Sequence, residues 1–442
     1  MVQEFDLVLV NGKVFTQNKL VQANLGILNG KITEISKQSL QGYEVLDCKN
    51  NLVLPGLIDV HVHFRTPGQE HKEDWKTGSM AALAGGVTSV MDMPNNDPST
   101  VSEKLLNEKR KLVSKKSLIN YGFHFGLTSG NFNEFAKAKN VVSGKLYAGS
   151  TTGNLLVAEI SVQEKIFQTA KQSNKLVFVH VENEQEIKKN IEKFKNEANS
   201  VELHSKIRTV KAEVLEIKYL LNIQKKFQNK LHFCHISSQA GIELIQQVKK
   251  TNLLVSCEVA PHHLFLSQLD YKKLGNFAKV NPSLKSKQDC ASLWQALNSG
   301  AVDVIATDHA PHTIEEKSQD YWNAPSGVPG LETTLALLLT EFHKKNIALE
   351  RIIQVCSQNP AKLLNLKNKG SIEKGKDADL IVVTASQEWA VKNDELFTKC
   401  KWSPFDGWKL KGKVLHTVVN GNLMFSEDQV IGKSLGKELI LK

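Results

Sequence analysis

Hydrophobic positions divide the chain into a central region and two ends of different character. In the central region, eight apolar runs have the length of buried parallel strands, at residues 57–63, 87–93, 119–126, 144–147, 176–180, 231–235, 253–259 and 302–308. Amphipathic stretches of helical period lie between most of them, for example at residues 78–84, 101–115, 206–228 and 288–297. Eight strands with helical crossovers predict an α/β fold, a (β/α)8 TIM-like barrel.

The two ends of the chain instead alternate apolar and polar positions over short segments. These segments lie at residues 6–10, 14–15, 26–28 and 32–35 near the N-terminus, and at 379–383 and 414–419 near the C-terminus. Asn-Gly pairs, which favour hairpin turns, stand at residues 11–12, 29–30 and 420–421. We therefore predict one small β-sandwich domain built from both ends, residues 1–55 and 367–442, beside a barrel domain of residues 56–366.

Composition narrows the functional classes. The 442 residues carry a net charge of +10, and the lysines that dominate it lie in mixed-sign helical segments without interleaved aromatic residues. This pattern indicates a solvated surface, attractive at most to small anions, and argues against nucleic-acid binding. No segment has the pattern of a membrane span or of a signal peptide. The six cysteines are scattered without CxxC spacing, which predicts a reducing, cytoplasmic location.

The most informative stretch for chemistry ends the first apolar run and reads Asp59-Val60-His61-Val62-His63-Phe64-Arg65. Because side chains alternate along a strand, His61, His63 and Arg65 point to the same side. Imidazoles suit zinc and similar divalent ions, and a guanidinium can hold a carboxylate through two hydrogen bonds. Two surface histidines on an edge strand are the alternative that this stretch alone leaves open.

Polar residues at other strand ends favour the metal-site interpretation. Run four contains Lys145, and His180, His235 and Asp308 end runs five, six and eight. The carboxyl ends of barrel strands meet at the active site, so these residues and the histidine pair should converge at one mouth. A cationic Lys145 would be repelled by divalent ions, so it belongs to the site only if it is neutral or carboxylated to a bridging carbamate. A surface lysine in a short strand is the alternative.

Further candidates follow the strands. Asp308, in Thr307-Asp308-His309-Ala310-Pro311-His312, can bind a metal through one oxygen and hold a proton with the other, as a general base needs. His309 and His312 offer hydrogen bonds to a substrate. Asn95 and Asn281 place amides at the same mouth, although each is equally explained as a turn residue beside a proline.

These residues stand within motifs that resemble the dihydroorotases of the amidohydrolase superfamily, of the type related to the dihydroorotase domain of the animal multifunctional pyrimidine enzyme. The resemblance covers nearly the whole chain. Its motifs are Pro55-Gly56-Leu57-Ile58-Asp59, Gly85-Gly86-Val87-Thr88, Met93-Pro94-Asn95, Lys145-Leu146-Tyr147, Cys257 to His263, Thr307 to His312, Asn359-Pro360-Ala361, Lys374 to Asp379 and Ser403-Pro404-Phe405. Hydantoinases and allantoinases share the general features, whereas Thr307 to His312 is more specific.

The resemblance implies a binuclear metal centre. Its implied ligands are His61, His63 and Asp308 for one ion and His180 and His235 for the other, with carboxylated Lys145 as the bridge. Its implied substrate contacts are Arg65, Asn95 and His312, at positions that hold the substrate carboxylate, and Asn281. Three residues depart from the family pattern outside the ligand set, namely Thr66, Ser283 and Lys285.

The implied activity is reversible cyclisation of N-carbamoyl-L-aspartate to L-dihydroorotate in pyrimidine biosynthesis. Two divalent ions, expected to be zinc, would activate the water, with Asp308 as general acid and base. The implied partner is a small anionic substrate, with no nucleic acid and no membrane. A homo-oligomer is expected, with a dimer favoured, and a complex with aspartate transcarbamoylase is left open. The alternatives are an allantoinase, a hydantoinase, or an inactive scaffold for a pyrimidine enzyme, which the complete ligand set disfavours.

Overall fold

The computed structural model describes residues 4–197, 199–433 and 436–441. Its strands are β1 (Glu4–Thr16), β2 (Lys19–Leu28), β3 (Lys31–Ser36), β4 (Gln41–Asp47), β5 (Leu52–Pro55), β6 (Leu57–Val62), β7 (Val87–Asp92), β8 (Asn120–Phe123), β9 (Phe125–Gly126), β10 (Gly144–Tyr147), β11 (Leu176–His180), β12 (Lys230–Phe233), β13 (Val255–Val259), β14 (Val304–Ile305), β15 (Leu380–Ala390), β16 (Lys409–Val419), β17 (Asn422–Ser426) and β18 (Gln429–Val430).

Helices occupy most of the connections between the central strands. They are α1 (Trp75–Ala84), α2 (Glu103–Val113), α3 (Phe132–Lys137), α4 (Ile160–Gln172), α5 (Glu184–Phe194), α6 (Leu203–Ile207), α7 (Val210–Phe227), α8 (Gln239–Lys249), α9 (Pro261–Phe265), α10 (Tyr271–Leu274), α11 (Lys287–Ser299), α12 (Ile314–Lys317), α13 (Thr334–His343), α14 (Leu349–Ile353) and α15 (Asn359–Leu363). Among the described residues, no helix combines the length and apolar character that crossing a membrane requires.

Strands β6 to β14 close into a barrel, which confirms the predicted fold class. The strands β6, β7 and β8 pair in parallel, and β9 to β14 form a second parallel sheet. The two sheets meet where β8 and β9 follow each other across His124, and on the other side through a parallel bridge between Val62 and His309. There the backbone N–H of His63 donates to the carbonyl of His309 at 2.8 Å. Closure of the barrel therefore brings the histidine pair beside the segment that carries Asp308.

The barrel interior is a packed apolar core. Val60, Met91, Phe178 and Val304 lie on four strands, and with Cys234, which follows β12, they belong to one buried cluster. Residues from strands so far apart around the barrel can meet only in its centre. The polar residues at the carboxyl ends of the strands therefore stand above an apolar floor.

Three predicted elements of the barrel differ in detail from the structure. The run at 119–126 is interrupted at His124, whose ring bonds the Val60 carbonyl and the Ser143 hydroxyl. The helix predicted at 206–228 is two helices, because the Thr209 side chain accepts from the backbone N–H of Ala212 and caps α7. The run at 302–308 contributes only the short strand β14, so Asp308 lies in the following loop.

The two ends of the chain form one β domain, as predicted. Its nine strands share one hydrogen-bonded sheet, in the order β18-β17-β16-β15-β5-β1-β2-β3, with β4 also paired to β1. The strand β5 joins the two halves, because it pairs with β1 in parallel and with β15 in antiparallel orientation. Leu9, Ile27 and Val382 are among the buried residues of a separate apolar core in this domain. The residue boundaries between the domains stay a prediction.

Two of the three Asn-Gly pairs form the predicted turns. Residues 29–30 connect β2 to β3 and residues 420–421 connect β16 to β17, all with positive φ. The hairpin predicted at residues 11–12 is wrong, because this pair forms a bulge inside β1 and the chain turns at residues 17–18 instead. A β-carbon at Gly12 would lie 2.6 Å from the Val53 side chain. The glycine therefore serves close packing against β5, a need that the local sequence does not reveal.

Part of the C-terminal segment leaves the sheet and packs on the barrel. The indole N–H of Trp402 donates to the carbonyl of His312 at 2.7 Å, close to the loop that carries Asp308. Farther along, Tyr121 at the start of the barrel strand β8 donates its backbone N–H to the carbonyl of Lys437 at 3.0 Å. The C-terminal segment thus contacts both the mouth of the barrel and the beginning of a strand.

Candidate active site

One cavity at the carboxyl ends of the barrel strands collects the six residues predicted as metal ligands. It is lined by His61, His63, Arg65, Asn95, Lys145, Tyr147, Thr151, Thr152, His180, His235, Asn281, Asp308, Ala310, Ser326 and Gly327. Arg65, Asn95 and Asn281, which were predicted to contact substrate, are part of this lining. His312 lies just behind it, where its Nε2 is 3.1 Å from a nitrogen of the Arg65 guanidinium. The structure therefore brings all ten predicted site residues into one place.

Backbone strain marks three of these positions. Arg65, His235 and Asp308 have φ angles of 61°, 35° and 48°, in a region that side-chain-bearing residues rarely adopt. Each such residue costs of order 1–3 kcal/mol and persists only where the surrounding contacts enforce it. All three lie within three residues of the end of a barrel strand. The strained turns direct these side chains into the mouth of the barrel.

His61, His63 and Asp308 are here called the first ligand group. The two histidines lie around one oxygen atom of Asp308. The Nε2 atoms of His61 and His63 lie 3.3 Å and 3.1 Å from Oδ1 of Asp308. Burial lowers the pKa of His61, which favours a neutral imidazole able to donate a lone pair. Burial alone would raise the pKa of Asp308, but His61 and His63 lower it well below its usual value. This group therefore offers two imidazoles and one carboxylate at the same point.

The other three ligand residues, Lys145, His180 and His235, form the second ligand group, and the ring centre of His235 lies 5.3 Å from that of His61. Nδ1 of His180 is 3.2 Å from Nε2 of His235, and burial lowers the pKa of both imidazoles. Lys145 is fully buried on β10, where its ammonium is 3.0 Å from the Cys234 sulfur and 5.2 Å from the centre of the Tyr147 ring. A thiol and a ring face are weak partners for a buried ammonium.

Acidic residues bond the ring nitrogens of two of the histidines and orient their rings. No role for these acidic residues was predicted from the sequence. Glu258 on β13 accepts from Nδ1 of His61 at 2.5 Å, and its other oxygen is 3.0 Å from Nε2 of His232. Glu182 lies 3.0 Å from Nε2 of His180 and also pairs with Arg208. A carboxylate bonded to the far ring nitrogen fixes the orientation of a ligating histidine. A charged residue inside the apolar run at 253–259 was the one available signal for Glu258.

This donor set suits divalent metal ions. His61, His63 and Asp308 hold their ligand atoms within 4.8 Å of one another, as a metal site requires. Nδ1 of His235 is buried and has no hydrogen-bond partner among the described residues. Converting the Lys145 ammonium to a carbamate would replace a buried cation by an anionic oxygen ligand. Neutral imidazoles, a carboxylate and a modifiable lysine are therefore present together.

Two of the predicted substrate contacts, Arg65 and Asn95, lie next to the first ligand group. Arg65 is buried and donates from Nε to the carbonyl of Pro311 at 3.1 Å. Asn95 accepts from Nδ1 of His63 at 2.7 Å and donates to the carbonyl of Thr152 at 3.0 Å, so it also orients a predicted ligand. Asn281 donates to the Thr151 hydroxyl at 3.2 Å. Burial lowers the pKa of His312 well below its usual value, and the Arg65 charge adds to this.

Several lining residues were not anticipated from the sequence. Thr151 and Thr152 lie in the loop after β10, and Ser326 and Gly327 lie in the loop after α12. The two loops meet where the Thr152 hydroxyl donates to the carbonyl of Ser326 at 3.2 Å, and Nε2 of His312 is 3.1 Å from the same oxygen. Neutral loop residues of this kind carry no chemical signature in a sequence, and only the fold places them at the site.

The chain is similar to known proteins over nearly its whole length. The sequence pattern of the amidohydrolase family matches residues 52–424. The chain belongs to this family. The dihydroorotases of Pyrococcus horikoshii and Methanosphaera stadtmanae are 38% and 36% identical to it, over 99% and 96% of the chain and 96% and 97% of their own lengths. The L-hydantoinase (dihydropyrimidinase) from Arthrobacter aurescens superposes with a TM-score of 0.92 at 27% identity, covering 97% of this chain and 98% of its own.

The three residues that depart from the family pattern lie outside the cavity lining. The carbonyl of Thr66 accepts from the Asn96 amide at 3.0 Å. Ser283 and Lys285 contact each other, with the ammonium 2.8 Å from the serine hydroxyl, and both donate to the carbonyl of Arg208 at 2.8 Å. Ser283 and Lys285 together therefore link the loop of Asn281 to the backbone of Arg208 through hydrogen bonds.

Proposed function

We propose that the protein is a dihydroorotase, which interconverts L-dihydroorotate and N-carbamoyl-L-aspartate. The observation that carries this proposal is one cavity that combines the two ligand groups with the buried Arg65 guanidinium. The ligand groups suit hydrolysis of a cyclic amide, and the guanidinium suits a substrate that also bears a carboxylate. Relatives named dihydroorotase that are 36–38% identical over nearly the whole chain support the assignment.

In this function, His61, His63 and Asp308 would hold one divalent ion, His180 and His235 a second, and carboxylated Lys145 both. Bound divalent ions would provide Lewis-acid activation of water and of the ring carbonyl. Asp308 takes the proton of the attacking water and delivers it to the ring nitrogen as the carbon–nitrogen bond breaks. Asp308 is a carboxylate at neutral pH, which is the basic form that this step requires. In the reverse direction the carbamoyl nitrogen bonds the carboxyl carbon, and Asp308 accepts the proton of this nitrogen and delivers it to the oxygen that leaves as water.

Arg65 provides the charge that selects the substrate. Its guanidinium is buried next to His312, and Asn95 lies in the same cavity wall. Charge-assisted hydrogen bonds from these groups to the ring carboxylate would fix the ring, so that its amide carbonyl faces the ligand groups. Asn281, in the loop that precedes α11, would also contact the substrate.

We further infer that the ions are zinc and that Lys145 carries the carbamate, because imidazole and carboxylate donors suit zinc. A homo-oligomer, a cytoplasmic location and an association with aspartate transcarbamoylase complete the proposal. Elemental analysis of protein never exposed to chelator should find close to two ions per chain. Full folding with no bound metal would favour an inactive scaffold instead.

A hydantoinase is the second candidate, because L-hydantoinase matches the fold over nearly the full length. The two activities differ in the substrate carboxylate, which simple hydantoins and dihydrouracil lack. A dihydroorotase should therefore depend on Arg65, whereas a hydantoinase has less need of it.

Replacing Arg65 by methionine tests the choice. Charge-assisted hydrogen bonds contribute about 1.5–3 kcal/mol each, so Arg65→Met should lower kcat/KM for dihydroorotate by about tenfold to a hundredfold. The bound metal should stay, because a guanidinium donates and does not ligate. Both proteins are assayed on dihydroorotate and on dihydrouracil. Hydrolysis of dihydrouracil by the wild type at an equal or higher rate would refute the dihydroorotase assignment.

A further inference from the structure

A buried lysine outside the ligand groups joins the two loops that carry Arg65 and Asn95. Lys109 lies on α2, and only 2% of its surface is exposed. Its ammonium is 2.6 Å from Oδ2 of Asp92, 2.6 Å from Oδ1 of Asn96 and 3.2 Å from the carbonyl of Met93. The contact with Asp92 is an ion pair, and the ammonium donates hydrogen bonds to the oxygens of Asn96 and Met93. All three acceptors belong to the end of β7 and the loop that follows it.

Two of these acceptors extend the connection to the loop of Arg65. Oδ1 of Asp92 accepts from the backbone N–H of Phe64 at 2.7 Å. The amide of Asn96 donates to the carbonyl of Thr66 at 3.0 Å. The residues on both sides of Arg65 are therefore held by side chains that bond the same ammonium. Arg65 itself has a φ of 61°, a conformation that an arginine keeps only when its surroundings impose it.

The same ammonium fixes the chain on both sides of Asn95. It bonds the carbonyl of Met93, two residues before Asn95, and the side chain of Asn96, directly after it. Asn95 therefore lies between two anchored residues. The Asn95 side chain then reaches His63 and the carbonyl of Thr152. Lys109 lines no part of the cavity and reaches it only through these loops.

We propose that Lys109 is a positioning residue for substrate specificity. Its ammonium holds Arg65 and Asn95 in the placement that recognises a substrate carboxylate, and it does so without touching the substrate. The inference rests on the proposed function, which gives these two residues a carboxylate to bind. An apolar side chain in its place would leave the Asp92 carboxylate buried without a cation and would release both loops.

The test compares dihydroorotate with its methyl ester, which carries no carboxylate charge. The measured quantity is the ratio of kcat/KM for the acid to that for the ester, together with bound metal. Lys109→Met should lower this ratio at least tenfold, mainly through the KM for dihydroorotate, while bound metal changes little. Lys109→Arg, which keeps the charge, should recover part of the ratio. Asn96→Ala removes the bonds of this amide to Thr66 and to the ammonium but keeps the pair of Lys109 with Asp92, so it should lower the ratio less than Lys109→Met.

The matched control is Lys369→Met in the β domain. Lys369 is also buried and paired, with Asp377 and Asp379, but it lies away from the cavity. This variant should lose thermal stability and keep the ratio. If Lys109→Met folds poorly, the double variant Lys109→Met/Asp92→Asn, which has no unpaired carboxylate, is compared with the wild type in place of the single variant.

The outcomes separate the two proposals. Folded, metal-loaded Lys109 variants whose ratio stays within twofold of the wild type would overturn the role of Lys109. A wild type that does not turn over dihydroorotate would overturn the proposed function instead. A fall in Tm with an unchanged ratio would show that Lys109 serves stability alone.

Discussion

In the first ligand group, His61 and His63 both direct Nε2 toward one oxygen of Asp308, at 3.3 Å and 3.1 Å. In the second ligand group, His180 and His235 face each other, and the Lys145 ammonium is bonded to the Cys234 sulfur. The first group is thus complete in unmodified side chains, whereas the second acquires an anionic donor only if Lys145 is carboxylated. In the proposed binuclear centre, folding alone would prepare the first group, and the second group would also require carboxylation of Lys145.

The carboxylates that orient the histidines of the two ligand groups, Glu258 and Glu182, also differ in their other partners. Glu258 bonds Nδ1 of His61, and its other partners are the His232 ring and the backbone N–H of His235. Glu182 bonds His180 but is also paired with a buried cation, Arg208. Glu258 therefore acts mainly on histidines, whereas Glu182 also neutralises the charge of Arg208. Three experiments test the difference between the two ligand groups, in order of decreasing expected effect.

Asp308→Asn should have the largest effect, because the amide cannot carry a proton between water and the ring nitrogen. General acid–base assistance is worth about 10²–10⁴-fold, so turnover should fall by at least this factor in both directions. The protein should fold and keep much of its metal, since the histidines remain. Steady-state kinetics and metal analysis measure both quantities. A loss below tenfold would mean that another residue is the base.

Lys145→Ala should remove most bound metal and most activity, because it takes away the proposed bridge between the two groups. Part of both should return when a short carboxylic acid is added, since its carboxylate can occupy the space of the carbamate. Metal content and activity are measured with and without the acid, and Lys145→Arg is the control that keeps the bulk and charge. Full activity in Lys145→Ala without acid would show that this lysine lies outside the chemistry.

The third test exchanges the supporting carboxylates for amides. Glu258→Gln should lower metal affinity about 10- to 100-fold with a modest change in stability, because its partners are histidine rings and a backbone N–H, without a lysine or arginine among the described residues. Glu182→Gln leaves Arg208 buried without a counter-ion and should lower the free energy of unfolding by about 3–5 kcal/mol. Metal titration and thermal unfolding of both variants give the comparison. Equal effects of the two variants on both quantities would contradict the asymmetry between the groups.

Much of the fold and of the site was predictable from residue patterns. The alternation of His61, His63 and Arg65 and the polar residues that end the apolar runs predicted the cavity lining. The barrel topology explains this success, because parallel strands of similar length carry their ends to the same mouth. Predictions from local sequence were wrong where packing against another element decided the conformation. At Asn11-Gly12, close packing against Val53 accompanies a bulge in β1 where a hairpin turn was predicted.

The sequence by itself determined which elements form and which side chains with metal-binding chemistry end the strands, because both follow from local periodicity. The tertiary structure alone decided what supports them. Glu258 meets His61 across 197 residues of chain, and Lys109, on a helix whose lysines suggested a solvated surface, is buried beneath the loops of Arg65 and Asn95. A charged residue carries no local mark of its partner, so its role is set only when folding removes water from around it.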